Sequence, residues 1–180
     1  NQILVQPVHR GINDIGTWKS ALRAADMGLR SKLYDLYEDI LMDGTVTDAI
    51  GKRIEAITDC DINFTVNGKE VPRITELIDT VEFENQLKEI MWSLFWGISV
   101  DEYSFVNGFD FNSIPRKHIR PKEKLILRRQ YDTDGISYSD DGMIIQWGED
   151  DDLGLLLKVA PYVIYKRGGF GDWAQFVELF

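Results

Sequence analysis

The chain has little cysteine, little histidine and no excess of positive charge. Its 180 residues include one cysteine, Cys60, and two histidines, and 30 acidic residues outnumber 20 basic ones. A single cysteine excludes an internal disulfide framework and a zinc cluster, and is typical of a reducing compartment. The net charge of -10 argues against a general binder of nucleic acid or anionic membranes, because such surfaces are basic. Any contact with DNA is therefore expected to be local.

Long apolar runs and the common catalytic motifs are also missing. The longest apolar run, residues 153–165, is too short to span a bilayer and contains Lys158, so we expect no membrane contact. The sequence has no glycine-rich phosphate loop, no GxSxG, no HExxH and no CxxC. The GGFG run at 168–171 lacks a preceding strand, and the DTDG and DDG runs lack the EF-hand spacing, so we interpret all three as turns. We predict no cofactor, no metal site and no catalytic residue.

Both ends of the sequence differ in character from its middle. We predict an extended arm over residues 1–16, where Pro7 and Gly11 discourage a helix, and a single domain over residues 17–180. The last residues carry an apolar helical stripe that needs a partner. We expect the chain to be part of a longer protein, to be monomeric or weakly associated alone, and to use this stripe against a neighbouring subunit or a further domain. The stripe consists of Trp173, Phe176, Val177 and Phe180.

Helical periodicity dominates the first half of the domain. N-cap residues predict helices that begin at Thr17 and Ser31, and a third helix covers residues 45–57. Gly51 inside the third helix suggests a close helix crossing. Farther on, Pro72 has the position of a first helical residue in a short helix.

The longest amphipathic pattern runs from Phe83 to Phe105. It predicts a helix that begins near Thr80 and ends at Gly97, followed directly by a strand and a hairpin at Asn107-Gly108. Trp92 and Trp96 flank the apolar stripe, and we interpret them as packing residues. The residues predicted to be buried on this helix are Phe83, Leu87, Ile90, Met91, Leu94 and Phe95.

Strand patterns cluster in the middle of the chain. A first hairpin turns at Asn67-Gly68, and three further strands at 125–131, 136–139 and 143–147 predict an antiparallel meander. A last helix is predicted to follow the acidic run 149–152, which we expect to cap its start. This helix is predicted to kink at Pro161 and to end at Gly168-Gly169. Helices at both ends thus enclose antiparallel hairpins and a meander, which is an α+β fold.

One basic segment stands out in this acidic chain. Between residues 116 and 129 there are seven positive charges and a single carboxylate, Glu123. Such a segment is a candidate contact for DNA phosphates or for another subunit, with the alternative that it is a solvated loop that pairs with the acidic turns. We expect arginine–carboxylate pairing to prevail, because Pro115 and Pro121 stiffen the loop. The candidate contact residues are Arg116, Lys117, His118, Arg120, Arg128 and Arg129.

Several segments occur in an order that is characteristic of one known family. They are RGINDIGTWKSALRAAD, KLYDLYEDILMDGTVTDAIGKRIEAIT, FWGISVDEYSF, IPRKHIRP and LLLKVAPYVIYKRGGFGDWAQFVELF. Together they cover nearly the whole chain and resemble the portal proteins of Mu-like phages and prophages. The region is similar to the N-terminal, outward-facing wing part of the portal subunit, which a stem and a clip would follow.

The resemblance implies a structural protein and not an enzyme. The subunits of such a portal form a homo-oligomeric ring at a capsid vertex, admit double-stranded DNA non-specifically, and meet a terminase motor, the capsid and head-completion proteins. The expected locations are the virion and, during assembly, the host cytoplasm. Two other functions remain open: an enzyme that uses His118 on phosphate substrates, and an adaptor that binds peptides by strand addition to the meander edge.

Overall fold

The structure, a computed structural model, describes residues 14–106 and 108–179. Residues 1–13 of the predicted arm and Asn107 of the predicted hairpin turn lie outside the described residues. The helices are α1 (Ile15–Asp26), α2 (Ser31–Ile40), α3 (Gly44–Thr58), α4 (Pro72–Ile78), α5 (Val81–Trp96) and α6 (Leu156–Leu179). The strands are β1 (Thr65–Val66), β2 (Lys69–Glu70), β3 (Ser99–Ser104), β4 (Asp110–Ser113), β5 (Ile119–Arg120), β6 (Leu125–Leu127), β7 (Gly135–Ser137) and β8 (Ile144–Trp147). The α+β prediction is confirmed.

Short-range side-chain contacts set the starts of the first helices. Helix α1 begins two residues before the predicted Thr17, because the Asp14 carboxylate accepts the Thr17 N–H at 2.7 Å. Helix α2 begins at Ser31 as predicted, but the Ser31 hydroxyl does not cap it and donates to carbonyl oxygens farther along the chain. In α3 the predicted crossing at Gly51 is wrong, since a Cβ there would meet nothing within 4 Å.

Helix α2 forms the centre of the hydrophobic core. Tyr34 and Tyr37 are fully buried and contact Trp96 edge-on, each with ring centroids 5.7 Å apart. The Tyr37 hydroxyl donates to the Leu153 carbonyl, and burial raises the pKa of this phenol. Trp92 packs against the same core, so the interpretation of both tryptophans as packing residues is confirmed. The other fully or almost fully buried side chains of α2 are Leu33, Leu36 and Ile40.

The stretch from α5 into β3 begins and ends as predicted, but α5 buries a different face. The Thr80 hydroxyl accepts the Phe83 N–H at 3.3 Å, and Gly97 ends the helix at φ 88°. The predicted stripe is wrong in part, since Leu94 is 51% exposed while Gln86 and Ser93 are buried. The helix turns Gln86 inward because Asp101 of β3 accepts a hydrogen bond from it, whereas the Ser93 hydroxyl donates to the Ile90 carbonyl of the same helix.

The predicted meander is divided between two sheets. Strand β6 pairs with β5 and β7, whereas β8 pairs antiparallel with β3, with Ser99 opposite Trp147. The hairpin of β3 and β4 forms as predicted, so β3 has neighbours on both sides in the order β4-β3-β8. The prediction of one continuous meander is therefore wrong for β8. The edge of β3 that β4 leaves free offers a ladder of four residue pairs, which is longer than the three-residue β7 could offer.

Three glycines permit the crossing of α5, β8 and the segment before α6. Gly97, Gly148 and Gly154 all have positive φ, between 77° and 94°. A Cβ on Gly154 would lie 2.2 Å from the Phe95 carbonyl oxygen, and one on Gly148 would lie 2.4 Å from that of Gly97. No side chain fits between these backbones, so the crossing requires glycine.

Helix α6 is longer than predicted and starts later. It begins at Leu156, and neither Pro161 nor Gly168-Gly169 interrupts it, so the predicted end at the glycines is wrong. Ion pairs from Lys166 to Asp43 and from Arg167 to Asp39 hold the turn before the two glycines against α2 and the start of α3. Each glycine costs about 1 kcal/mol in a helix interior, and the helix continues through both. None of the helices in the described ranges is long and apolar enough to cross a membrane.

Candidate functional site in the basic segment

The basic segment, residues 116–129, packs closely against the core. After Pro115 it forms a 3-10 turn at Arg116–His118 and continues as β5 and β6. The Ser31 hydroxyl donates to the carbonyl oxygens of Lys117 and Gln130, which ties both ends of the segment to the start of α2. The alternative of a solvated loop is therefore wrong for its first half.

Arg116 joins α5 to the beginning of β3. Its Nε donates to the Ile98 carbonyl at 2.9 Å, and one terminal nitrogen lies 2.6 Å from both Glu89 Oε2 and Ser99 Oγ. The guanidinium carbon is 5.3 Å from the ring centroid of Trp96. This planar group satisfies three acceptors and an aromatic face together, which a lysine ammonium cannot do. The predicted arginine–carboxylate pairing is thus present at Arg116.

The Lys117 side chain binds α2, whereas that of Arg116 binds α5 and β3. Its Nζ lies 2.7 Å from Asp35 and 2.8 Å from Glu38, and its side chain is only 10% exposed. Burial alone would lower the pKa of Lys117, but the hydrogen bonds and charges of the two carboxylates outweigh it, so the pKa is raised. The charge of Lys117 is used inside the molecule.

His118 is completely buried. Its Nδ1 lies 3.0 Å from the Leu127 carbonyl oxygen, which fixes Nδ1 as the donor, and its Nε2 has no hydrogen-bond partner among the described residues. A group without solvent access cannot act on an external phosphate substrate. His118 therefore links β6 to the turn at Arg116–His118.

The lysines of the segment pair with the acidic run 149–152. Lys124 contacts Asp150 and the Gln146 side chain, and Lys122 lies 2.7 Å from Asp151. The hydrogen bond from Lys124 is the main cause that lowers the pKa of the Asp150 carboxyl. This run was predicted to cap α6, which is wrong, because α6 begins only at Leu156.

The remaining arginines of the segment have no such partners. Arg120 is partly buried, while Arg128 and Arg129 are exposed. Within 14–106 and 108–179, no carboxylate lies within 4.0 Å of any of these three side chains. The predicted pairing therefore does not extend to them inside this chain, and Arg128 and Arg129 are the members of the segment that present their charge to solvent.

A buried polar cluster beside the segment was not predicted. Asp101 is completely buried in β3, accepts a hydrogen bond from Gln86 Nε2 at 3.0 Å, and accepts another from the Ser113 hydroxyl. These contacts explain why α5 turns Gln86 inward, since an unpaired buried carboxylate is costly. The only signal in the sequence is an acidic residue in an otherwise apolar strand start, ISVD, and it does not reveal the partner.

The exposed stripe of α6 is present where it is described. Trp173 is 66% exposed and Val177 is 54% exposed, and both lie in the last two turns of the helix. The side chain of Phe176 and the residue Phe180 lie outside the described part. Across the described residues, no three histidine, cysteine or carboxylate side chains come together as a metal site.

Comparisons with known proteins identify the family of this chain. A family model described as the portal protein of Mu bacteriophage matches residues 34–180. Searches of curated proteins and of solved structures each gave no significant match. The matched range begins within α2 and contains the basic segment and α6, and it confirms the resemblance inferred from the sequence. The chain belongs to the portal protein family of Mu bacteriophage.

Proposed function

We propose that this chain forms the outward-facing wing part of a ring-shaped portal, through which double-stranded DNA enters and leaves a phage capsid. The family match over residues 34–180 carries the proposal. A protein of this family is a structural component of the virion, and its location here is the capsid vertex, with assembly in the host cytoplasm. The terminase motor, the capsid and head-completion proteins, and further copies of the chain are its partners.

The pairing of cations with carboxylates inside the structure supports a conduit that binds DNA only weakly. Each phosphate that a protein neutralises adds affinity through counterion release, which would slow DNA that must slide. Here Arg116, Lys117 and Lys124 form pairs within the molecule, and the whole chain carries a net charge of -10. Contacts with passing DNA are then few, weak and independent of sequence.

Two sets of side chains are available for contacts in the ring. Arg128 and Arg129 are exposed and can meet a phosphate or a carboxylate of a neighbour. Trp173 and Val177 present apolar surface that contacts a neighbouring subunit or another domain of the portal. Phe176 and Phe180 belong to the same stripe in the sequence.

The two other functions have less support. A nuclease or phosphatase that uses His118 is disfavoured because that side chain is fully buried. Strand addition needs a long free edge, and no edge strand among the described residues exceeds four residues. We expect neither the protein nor His118→Ala to show nuclease or phosphatase turnover, and turnover that is lost in His118→Ala would revive the enzyme alternative.

Electron microscopy of the protein tests the proposal. Closed rings with a central opening are expected when the chain is present together with the rest of its portal subunit. Sedimentation velocity of the same sample should show one large species of defined mass. A sample that stays monomeric over the whole accessible concentration range would contradict the proposal.

A further inference from the structure

Three cations that form no ion pair within the described ranges lie around one apolar groove. This groove, which we call the basic groove, lies between α1 and the start of α2 and has a volume of about 540 Å³. Three exposed cations and three exposed apolar side chains line it, and in the described ranges no carboxylate lies within 4.0 Å of these cations. The lining residues are Lys19, Arg23, Lys32, Met27, Leu29 and Tyr131.

A groove of opposite charge, with a mostly polar lining, lies elsewhere on the molecule. This acidic groove is formed by the end of α3, by α4 and by the start of α5, and it shares no residue with the basic groove. Between residues 59 and 84 there are seven carboxylates and two cations, so this stretch carries -5 of the net charge of -10. Its lining includes the carboxylates Asp59, Asp61 and Asp79 and the exposed apolar residues Ile62 and Val81.

We infer that the basic groove of one subunit binds the acidic groove of a second copy of this chain. Opposite charges on the two surfaces give both affinity and orientation, and like-charged alternatives are repelled. Because the two surfaces are different, the contact is head to tail, and repetition of such a contact forms a ring when the rotation between successive subunits closes. The inference rests on the proposed portal function and adds to it the two surfaces through which neighbouring subunits bind each other.

Two other occupants of the basic groove fit less well. Residues 1–13 contain no carboxylate and include His9 and Arg10, so any charge they carry is positive, like that of the groove. DNA offers negative charge, but its backbone gains little from the apolar floor, where Met27 is 74% exposed and Tyr131 is 57% exposed. A second copy supplies both the charge and the apolar surface.

Charge reversal tests the contact. Lys19→Glu with Lys32→Glu reverses the basic groove, and Asp59→Lys with Asp79→Lys reverses the acidic groove; all four side chains are exposed. Lys32 lies in the first turn of α2 and Asp59 follows the end of α3, so these two changes suit the helix dipoles. Asp79 follows α4 but also precedes Thr80, the N-cap of α5, so Asp79→Lys is favourable for one helix dipole and unfavourable for the other. We expect folding to be kept in all variants. Thermal unfolding followed by circular dichroism checks this for each variant.

We expect each double reversal to weaken self-association by at least about tenfold in sedimentation velocity, because like charges then face each other. The four-fold variant restores opposite charges and should recover association and rings. Lys52→Glu with Lys122→Glu is the matched control, since it changes the net charge equally at exposed cations outside both grooves.

The outcomes separate this inference from the proposed function. Rings that form equally well in every variant would overturn the inference and leave the portal function intact, whereas a wild-type chain that never associates, even together with the rest of its portal subunit, would overturn both. Failure of the four-fold variant to recover also refutes the contact. If the basic reversal abolishes binding of a labelled DNA duplex and leaves self-association unchanged, the groove is a DNA site and the inference is wrong.

Discussion

Replacing Arg116 with lysine distinguishes a structural role of the basic segment from a role in phosphate binding. The change keeps the positive charge but removes the planar fork that contacts Ile98 O, Ser99 Oγ and Glu89. A lysine ammonium can remain near Glu89, but it leaves the completely buried Ile98 without the Arg116 hydrogen bond at its carbonyl. The guanidinium contact with Trp96 at 5.3 Å is lost as well.

The expected loss follows from these contacts. A hydrogen bond from a charged donor contributes about 1.5–3 kcal/mol and a cation–π contact about 0.5–2 kcal/mol. The Arg116 side chain is 20% exposed, so some of this is recovered by water. We therefore expect Arg116→Lys to lower the free energy of unfolding by about 2 kcal/mol, which corresponds to roughly 4–8 °C in Tm for a chain of this size.

Urea unfolding and differential scanning calorimetry measure the effect. Arg129→Lys is the matched control, because it makes the same replacement at an exposed member of the segment and should stay within about 0.5 kcal/mol of wild type. Binding of a DNA duplex should be the same in wild type and Arg116→Lys at every salt concentration. If Arg116→Lys unfolds like wild type, or if both variants lose equal stability, the structural role assigned to Arg116 is refuted.

Three further changes test other parts of the structure. Gly154→Ala should lower the free energy of unfolding in urea by about 3 kcal/mol or more, because φ is 77° and the new Cβ would lie 2.2 Å from a backbone oxygen. Gly51→Ala, where a Cβ meets nothing within 4 Å, should instead stabilise α3 by about 0.5–1 kcal/mol. A Gly154→Ala variant as stable as wild type would contradict the close crossing of the three backbones. Because folding raises the pKa of Lys117, the ion pairs of this residue stabilise the fold below the ordinary lysine pKa, and this stabilisation is lost as the pH rises through the folded-state pKa. The difference in unfolding free energy between wild type and Lys117→Met should therefore shrink at strongly alkaline pH. A difference that does not change with pH would argue against the buried ion pairs. Trp173→Ser with Val177→Ser should weaken self-association in sedimentation velocity without changing the circular dichroism spectrum, and unchanged association would remove the stripe as a contact.

Boundaries that depend on neighbouring residues were predicted well from the sequence. Pro72 begins α4, Thr80 caps α5, and Gly97 ends it in the left-handed conformation. The hairpin of β3 and β4 pairs as predicted, and the order of helices and strands indicates the correct fold class. These features are set by backbone preferences and hydrogen bonds within about four residues, so the local sequence is sufficient.

The candidate site was predicted only in outline. The basic segment was found by its charge, and the pairing of Arg116 was expected, but the burial of His118 and the attachment of Lys117 to α2 were not. The carboxylates that bind Lys117 precede it by 79 and 82 residues in the sequence. Charge alone does not tell which cations a fold will bury, because burial depends on the partner that folding brings near.

What the sequence by itself determined is the type and approximate extent of most elements, together with membership of the portal family. Only the tertiary structure decided which face of α5 is buried, which strand β8 pairs with, and whether α6 continues through Gly168-Gly169. In each case the deciding contact comes from a distant part of the chain: Asp101 for α5, the open edge of β3 for β8, and Asp39 and Asp43 for α6. A buried carboxylate or a free strand edge must be satisfied, and this requirement overrides local periodicity.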